Sequence, residues 1–322
     1  MKKLLLLLVL VVASCKQEPV NTKLSGPVFG TGYSVIYDSE IHYKIQFDSL
    51  FYVINKSMST YVPNSDISRI NRNEAFSVDA HFKTVLESSK QIYRETEGVF
   101  DPTIGSVVNA WSFGPEGAIK DLDSLKIDSL MLTVGLNRVG IINSKLVKQN
   151  PYTRIDFNAI AKGYGVDVIA NFLESKNVSN YLVEIGGEIR SKGKNVVKNI
   201  PWRVGLDQPR FDGGQSVMKA ISLYDCGMAT SGTYRKFKID DNGNRYTHII
   251  DTKTGYPSKT NILSVSVIAK DCMTADAYAT AFQAMGITKV ENFLKSHPEL
   301  KVFLIFENDG KEFETLNLNN FP

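Results

Sequence analysis

The side chains with the clearest chemical potential lie between residues 246 and 286. His248 is the type of side chain that exchanges a proton near neutral pH, and Asp251 follows it three residues later. Further along, Asp276 and Thr280 are four residues apart in a predicted helix, so they share one helix face. Carboxylate and hydroxyl oxygens suit Mg²⁺. The spacing favours a magnesium site, although such a pair also occurs on ordinary helix surfaces.

A lysine among small residues marks a second candidate site, near the start of another predicted helix. Lys162 is followed by Gly163 and, two positions later, by Gly165. Each glycine costs a helix about 1 kcal/mol relative to alanine, so we expect close approach by another segment or by a ligand. Asp156 or Asn158 is expected to cap the helix. Because a helix N-terminus attracts anions, Lys162 is a candidate for binding a pyrophosphate; a solvated surface lysine is the alternative.

Three loops carry side chains that could contact an aromatic ligand. A glycine-rich turn at residues 30–32 enters a strand, and either a plain turn or a phosphate or flavin contact fits it. Pro63 and Asn64 stop any helix, so Tyr61 is expected on a loop, where its ring can meet a ligand or pack half-buried. The ring-rich loop that contains Asp101 and Trp111 suits a nucleobase or an isoalloxazine, and it suits a capped core equally well.

Several other classes of function receive no support. The net charge is +3 and no run of like charges marks a nucleic-acid-binding arm. Cys226 and Cys272 belong to no CxxC or Cys/His cluster, so a zinc site is not predicted, and a disulfide between them stays open. Ser231 stands near a strand end, but the G-x-S-x-G setting of a serine hydrolase is missing.

The N-terminus has the features of an export signal. Residues 1–15 contain two lysines, an apolar run and small residues before Cys15. The run is shorter than the roughly 20 residues that a membrane-spanning helix needs. The ending Val-Ala-Ser-Cys resembles a bacterial lipobox, in which Cys15 becomes lipidated; an ordinary cleaved signal is the alternative. Residues 16–25 are predicted to form a flexible tether, and residues 26–322 to form the folded body.

The elements that must position these residues point to an α+β fold. The chain is 43% apolar and 22% charged, which is ordinary for a globular protein. Apolar spacing predicts helices over residues 41–58, 79–97, 120–136, 154–173, 274–285 and 289–296. Alternation predicts strands over residues 181–189, 202–206, 262–269 and 301–307, and a hairpin over 138–148. The helices and strands do not alternate regularly, which favours α+β over α/β.

Eight ordered blocks of sequence resemble the motifs of the ApbE family, the FAD:protein FMN transferases. The blocks are FGTGYSV, MSTYVPNSDISRIN, FDPTIGSVVNAWSFGP, IDFNAIAKGYGVD, VEIGGEIRSKG, MATSGTYRKF, HIIDTKTGYP and TADAYATAFQAMG. Any one block is weak, but eight in order from about residue 29 to residue 286 are specific. The resemblance implies mixed sheets with packed helices and a FAD cleft between two closely joined subdomains.

The resemblance also implies an activity. The family's enzymes use Mg²⁺ to transfer FMN from FAD to a threonine or serine hydroxyl of an acceptor protein, and they release AMP. Some members instead hydrolyse FAD to FMN and AMP, so a FAD pyrophosphatase is the second hypothesis. A non-catalytic flavin-binding lipoprotein is the third, and the Asp276 and Thr280 pair argues against it. The family's acceptors are exported or membrane flavoproteins of redox systems, which implies a lipid-anchored enzyme of the bacterial cell envelope, facing the periplasm or the exterior.

The site residues follow from matching motif positions. The resemblance implies that His248 acts on the attacking hydroxyl and that Asp276, Thr280 and the carbonyl oxygen of Ala159 bind the metal ion. The implied flavin-binding residues are Phe29, Tyr61, Val99, Phe100, Asp101, Asp156, Lys162 and Ile250.

The chain departs from the family pattern at four positions. Phe29 replaces a common methionine, so stacking would replace thioether packing there. Ala159 can offer a metal ion only its main-chain oxygen, and Ala279 removes a second acid that some members carry. Thr252 stands where proline is usual, a change in a turn for which we expect little chemical effect.

Overall fold

The computed structural model describes residues 19–234, 237–239 and 245–322. The strands are β1 (Thr22–Val28), β2 (Thr31–Tyr37), β3 (Val139–Ile142), β4 (Lys145–Lys148), β5 (Tyr181–Ile185), β6 (Glu188–Lys192), β7 (Lys194–Asn195), β8 (Ile200–Asp207), β9 (Val217–Leu223), β10 (Cys226–Gly232), β11 (Phe237–Ile239), β12 (Arg245–Thr247), β13 (Ile262–Ala269), β14 (Lys301–Glu307) and β15 (Phe313–Leu318). The helices are α1 (Lys44–Met58), α2 (Asp66–Asn71), α3 (Ala80–Glu95), α4 (Gly105–Ala110), α5 (Ser124–Met131), α6 (Ala161–Ser175), α7 (Cys272–Met285) and α8 (Ile287–Leu294).

An eight-stranded sheet organises the chain. Its order is β1-β2-β5-β6-β10-β13-β14-β15, and every neighbouring pair is antiparallel. Between β2 and β5 the chain contributes no strand to this sheet; residues 38–180 instead form helices α1 to α6 and the separate hairpin β3-β4. The α+β class is therefore confirmed, and one continuous sheet underlies both the helical region and the C-terminal strands.

Helices cover one face of the sheet and a smaller sheet covers the other. On β14, Val302 and Leu304 pack into a core with α3 and α7, whereas Phe303 and Ile305 pack into a second core with β8 and β9. Successive side chains of a strand point to opposite faces, so this alternation places the two cores on opposite sides. All eight residues of β13 are buried because the strand lies between these layers.

Side-chain caps set the starts of two long helices. Asp79 accepts a hydrogen bond from the Phe82 N–H before α3, and Asp271 accepts one from the Thr274 N–H before α7. These caps satisfy donors that lack a partner within the helix. Helix α7 therefore starts two residues before the predicted position. Strands β13 and β14 have the predicted bounds.

Three of the predicted elements need correction. The predicted helix over residues 120–136 is shorter and contains only Ser124–Met131. The predicted strand over residues 181–189 is a hairpin, because Gly186 and Gly187 adopt positive φ angles and reverse the chain. The helix predicted from residue 154 begins at Ala161 after Ile160, with no side-chain cap from Asp156 or Asn158.

The predicted tether also ends earlier than expected. Strand β1 begins at Thr22, so residues 22–25 belong to the sheet. The predicted signal and Cys15 lie outside the described residues. Within the described part of the chain, no helix is long and apolar enough to cross a membrane. Cys226 and Cys272 are both free thiols.

Candidate active site

Helices α6 and α7 meet at a glycine. The Gly163 N–H donates a hydrogen bond to Asp276 Oδ2 at 2.9 Å. A Cβ atom on residue 163 would lie 2.4 Å from the Cys272 carbonyl oxygen and 2.8 Å from the Asp276 Cβ. Because residue 163 has no side chain, the two helices approach each other closely. At Gly163 the predicted close contact is therefore made by another segment of the chain, helix α7.

The second glycine of α6 faces an aromatic ring. Phe29 lies in the turn between β1 and β2, and a Cβ atom on residue 165 would lie 2.8 Å from its Cε2. Edge contact with Phe51, at 5.6 Å between ring centroids, also holds the half-buried Phe29 ring. Gly165 therefore makes room for Phe29. This contact brings the β1-β2 turn to the first turns of α6, where Lys162 also lies.

Three ionisable side chains gather at the N-terminal end of α6. The Lys162 ammonium donates to Glu188 Oε1 at 2.6 Å. The Glu188 side chain is 4% exposed and the Lys162 side chain 35% exposed, so the carboxylate lies inside and the ammonium lies nearer the surface. Burial lowers the pKa of Lys162, but the Glu188 and Asp276 carboxylates raise it by more.

Burial raises the pKa of both carboxyl groups in this cluster. Burial is the main cause at Glu188, where the negative charge of Asp276 adds to it and Lys162 opposes it. The pKa of Asp276 is also raised by burial, against Lys162 and the Gly163 N–H. Sequence reasoning missed Glu188, because the strand predicted over residues 181–189 runs through Gly186 and Gly187, where the chain in fact makes a tight hairpin turn. The position of Glu188 directly after two glycines was the available signal.

A second part of the site joins residues 99–104 to residues 154–156. The Asp156 N–H donates to the Pro102 carbonyl oxygen at 2.7 Å, and a β-bridge pairs Ile104 with Arg154. Asp101 is buried, and its Oδ1 accepts hydrogen bonds from the N–H and hydroxyl groups of Thr103. Burial raises the pKa of Asp101, and these hydrogen bonds lower it by less. The Asp101 carboxylate thus holds the loop together.

Tyr61 and Asp156 line a small polar cleft. Its volume is about 260 Å³, and its walls also include Arg72, Asn109 and Arg154. The Tyr61 side chain is exposed and is not packed half-buried. Asp156 Oδ1 accepts a hydrogen bond from the Asn158 N–H within the turn before α6. Two predicted flavin-binding residues therefore share one concave surface.

The segment that contains His248 packs against residues that follow α3 and α4. The His248 ring lies 6.2 Å from the Phe113 ring, in edge contact. Thr252 donates its hydroxyl to the Gly98 carbonyl oxygen at 2.6 Å, a contact between segments 154 residues apart. Thr252, which stands where proline is usual, therefore links the segment that contains His248 to the loop after α3. Asp251 Oδ1 accepts hydrogen bonds from the Lys253 and Thr254 N–H groups, which gives this acid a role in the turn.

Two predicted flavin-binding side chains lie in the interior. Phe100 is 3% exposed in the core beneath the helices, and Ile250 is 6% exposed against Val107 and Val134. Val99 is half-buried beside Phe100. In this conformation Phe100 and Ile250 can offer a ligand main-chain groups but not their side chains. The contacts of these two residues with the flavin stay predictions.

The predicted metal-binding residues lie on neighbouring elements. Ala159 is in the turn just before α6, and Asp276 and Thr280 are on α7, the helix that contacts α6 at Gly163. Among the described residues, no three histidine, cysteine or acidic side chains cluster to hold a metal ion. The predicted donor set contains a single carboxylate, which suits Mg²⁺ because that ion keeps several water and phosphate ligands.

A larger cavity lies away from these residues. Its volume is about 950 Å³, and it is bounded by α3, the start of α7 and residues 297–301. None of the predicted site residues lines it. The size of a cavity does not assign a reaction to it. The charged cluster and the polar cleft have the side chains that suit the predicted chemistry, and both lie away from this cavity.

Comparison with known proteins identifies the family. The sequence model of the ApbE family matches residues 29–304. The FAD:protein FMN transferase of Vibrio cholerae is 36% identical, over 97% of this chain and 96% of its own length, and that of Haemophilus influenzae is 36% identical, over 93% and 90%. The structure of the flavin transferase ApbE from Vibrio cholerae aligns with a TM-score of 0.82 at 35% identity, covering 93% of this chain and 97% of that one.

A second solved structure agrees. The apo form of the Pseudomonas stutzeri flavinyl transferase ApbE aligns with a TM-score of 0.83 at 28% identity, covering 94% of this chain and 96% of that one. These relatives span nearly the whole chain, so the match is not confined to one motif. The chain belongs to the ApbE family, and the predictions of that family and of a transferase enzyme are confirmed.

Proposed function

We propose that this enzyme transfers FMN from FAD to a threonine or serine hydroxyl of an acceptor flavoprotein, with Mg²⁺, and releases AMP. The observation that supports this most is the contact between Gly163 and Asp276, which sets a buried carboxylate beside Lys162 at the start of α6. A helix N-terminus and an ammonium group attract a pyrophosphate. The name shared by the relatives, FAD:protein FMN transferase, supports the same reaction.

The residues present fit a magnesium ion. Asp276, Thr280 and the carbonyl oxygen of Ala159 would hold it, and all three offer the hard oxygen atoms that Mg²⁺ prefers. Burial raises the pKa of Asp276, and a bound cation would favour its ionised form. When bound, Mg²⁺ neutralises charge on the pyrophosphate and polarises its phosphorus–oxygen bonds.

The protein's own side chains would position the two reactants. Lys162 would face the phosphates, while Tyr61 and Asp156 would contact the flavin from the polar cleft. Phosphoryl transfer asks a protein mainly for positioning and charge stabilisation, and these groups supply both. His248 would accept the proton of the acceptor hydroxyl, which a base near neutral pKa can speed by about 10²–10⁴-fold.

The bond changes balance without another reactant. The acceptor oxygen attacks the phosphorus atom on the FMN side, and a new phosphoester bond forms. The bond from that phosphorus to the bridging oxygen breaks, and AMP leaves with the bridging oxygen. The proton taken by His248 passes to AMP or to water, so FAD and a hydroxyl give a flavinylated protein and AMP.

We also propose that the enzyme is lipid-anchored through Cys15 in the cell envelope, on the basis of the N-terminal sequence. Strand β1 begins at Thr22, which leaves residues 16–21 between the anchor and the sheet. Six extended residues reach about 20 Å. On this proposal the acceptor is an exported or membrane-bound redox flavoprotein that meets the enzyme near the membrane surface.

One incubation separates the possible activities. The protein is mixed with FAD, Mg²⁺ and an exported flavoprotein of a redox system, and products are followed by in-gel flavin fluorescence and chromatography. A fluorescent acceptor band with equimolar AMP supports the transferase. Free FMN and AMP with an unlabelled acceptor would instead indicate a FAD pyrophosphatase, and intact FAD would indicate a flavin-binding protein.

A further inference from the structure

Glu188 is held at a fixed place by a tight hairpin. It is the first residue of β6, paired with Ile185 across the Gly186-Gly187 turn. A Cβ atom on residue 186 would lie 2.7 Å from the Thr31 side chain, so this turn packs closely against the start of β2. The backbone at Glu188 is therefore set by two neighbouring hairpins, and its side chain reaches the first turn of α6 from a rigid base.

The two carboxylate oxygens of Glu188 have different surroundings. Oε1 accepts the hydrogen bond from Lys162, whereas Oε2 is buried and has no hydrogen-bond partner among the described residues. A buried oxygen without a partner costs about 1–3 kcal/mol. A buried ion pair is itself weak evidence for stabilisation, since its desolvation cost can exceed its attraction. A contribution to stability therefore does not explain the ion pair between Lys162 and Glu188.

We propose that Glu188 is a positioning residue for the transfer reaction: it holds the Lys162 ammonium at the open end of α6, facing the diphosphate of FAD. The inference rests on the proposed function. Lys162 has four rotatable side-chain bonds and would otherwise sample many positions, so a fixed anchor lowers the entropy lost when it contacts a phosphate. Glu188 acts through Lys162 and touches no reacting atom.

The exposed fractions of the Glu188 and Lys162 side chains support this orientation of the ion pair. The carboxylate is almost completely buried, while about a third of the Lys162 side chain remains exposed. The pair therefore runs from the interior towards the surface, with the cation outermost. The ion pairs of Arg190 with Asp167 and of Lys192 with Glu174 lie further along α6 and serve as comparisons.

Binding measurements test the proposal without requiring turnover. Dissociation constants for FAD with Mg²⁺ are measured by calorimetry for the wild type, Glu188→Gln, Lys162→Met and the double variant. Riboflavin, which lacks the phosphates, is the paired probe. We expect Glu188→Gln to weaken FAD binding about 10–100-fold, in the range seen for residues that orient a ligand-binding group. The double variant should bind FAD within about threefold of Lys162→Met, because the two residues act as a unit.

Riboflavin separates positioning from a structural role. Its affinity should be the same in all four proteins if Glu188 acts on the phosphates through Lys162; a parallel loss for riboflavin, or unchanged FAD binding by Glu188→Gln, would overturn the proposal. Glu188→Asp keeps the charge but shortens the side chain, so it should lose FAD affinity as Glu188→Gln does. Glu174→Gln, near the other end of α6, should bind FAD like the wild type. A wild type that binds FAD but transfers no FMN would reject the proposed function and leave this test intact.

Discussion

The N–H of Gly163 and the carboxylate of Asp276 are joined by a hydrogen bond of 2.9 Å between the starts of two helices. The bond fixes one oxygen of the acid at a helix N-terminus, where the helix dipole favours negative charge. It also requires that residue 163 has no side chain, because the Cys272 carbonyl oxygen lies where a Cβ atom would be. The contact between the two helices and the position of the Asp276 carboxylate therefore both depend on the glycine at residue 163.

We predict that Gly163→Ala destabilises the enzyme by about 1–3 kcal/mol, as overpacking does, and lowers its apparent Mg²⁺ affinity. The new methyl group would press on the backbone of α7, which cannot move aside cheaply. The free energy of unfolding and the Mg²⁺ dependence of FAD turnover are the measurements. Gly165→Ala is the matched control, since its methyl group meets the ring of Phe29, which can shift. Equal effects of both variants would contradict this explanation.

Replacing His248 should affect transfer more than binding. We predict that His248→Gln slows FMN transfer by about 10²–10⁴-fold, because the acceptor hydroxyl loses its base. The dissociation constant for FAD should change less than about threefold. Single-turnover kinetics and fluorescence titration measure the two quantities. His297, which stacks on Phe293 away from the site, provides the control, and His297→Gln should leave transfer unchanged. A slow His297→Gln enzyme or a fast His248→Gln enzyme would remove His248 from this role.

Thr252 links two distant segments of the site. We predict that Thr252→Val lowers the free energy of unfolding by about 0.5–1.5 kcal/mol, because the Gly98 carbonyl oxygen loses its donor. The KM for FAD should rise as the loop around Val99 loosens. Thr254→Val is the control, since Thr254 lies in the same exposed turn without a link across the site. Denaturant unfolding and steady-state kinetics test this; an unaltered Thr252→Val enzyme would show that the hydrogen bond has no role.

The stability of the metal-free enzyme should fall as pH rises above 4.5, the ordinary pKa of a glutamate side chain. Burial and the nearby Asp276 carboxylate raise the pKa of Glu188 above its ordinary 4.5, and the Lys162 ammonium opposes them. A carboxyl group with a raised pKa in the folded state binds protons more tightly there, so its contribution is full below pH 4.5 and is lost as pH rises through the raised pKa of the folded state. We predict that Glu188→Gln melts with a weaker pH dependence than the wild type. Identical pH profiles in metal-free buffer would refute the pKa assignment.

Local sequence signals predicted the elements that position the site. The strand Ile262–Ala269 and the helix predicted over residues 274–285 could be predicted because the apolar periods of strands and helices act over a few residues. The turn at Gly186-Gly187 was misinterpreted, since a continuing apolar run hides a reversal. Glu188 was missed for the same reason, although it completes the ion pair with Lys162.

The periodicity of apolar residues does not predict contacts between segments that are far apart in the sequence. The hydrogen bonds from Thr252 to Gly98 and from Asp156 to Pro102 join parts of the chain that are far apart in sequence. The burial of Phe100 and Ile250 likewise depends on what packs over them. Motif resemblance identified which residues to examine, and the fold determines which of them can present a side chain to a ligand.

The most direct measurement is a crystal structure with FAD and Mn²⁺, which substitutes for Mg²⁺ and can be located by anomalous scattering. We predict a metal peak about 2.1 Å from the Asp276 carboxylate and the Thr280 hydroxyl, in contact with the FAD phosphates. A peak at other residues, with the Asp276 carboxylate turned away from both phosphorus atoms, would contradict metal-assisted FMN transfer at this site.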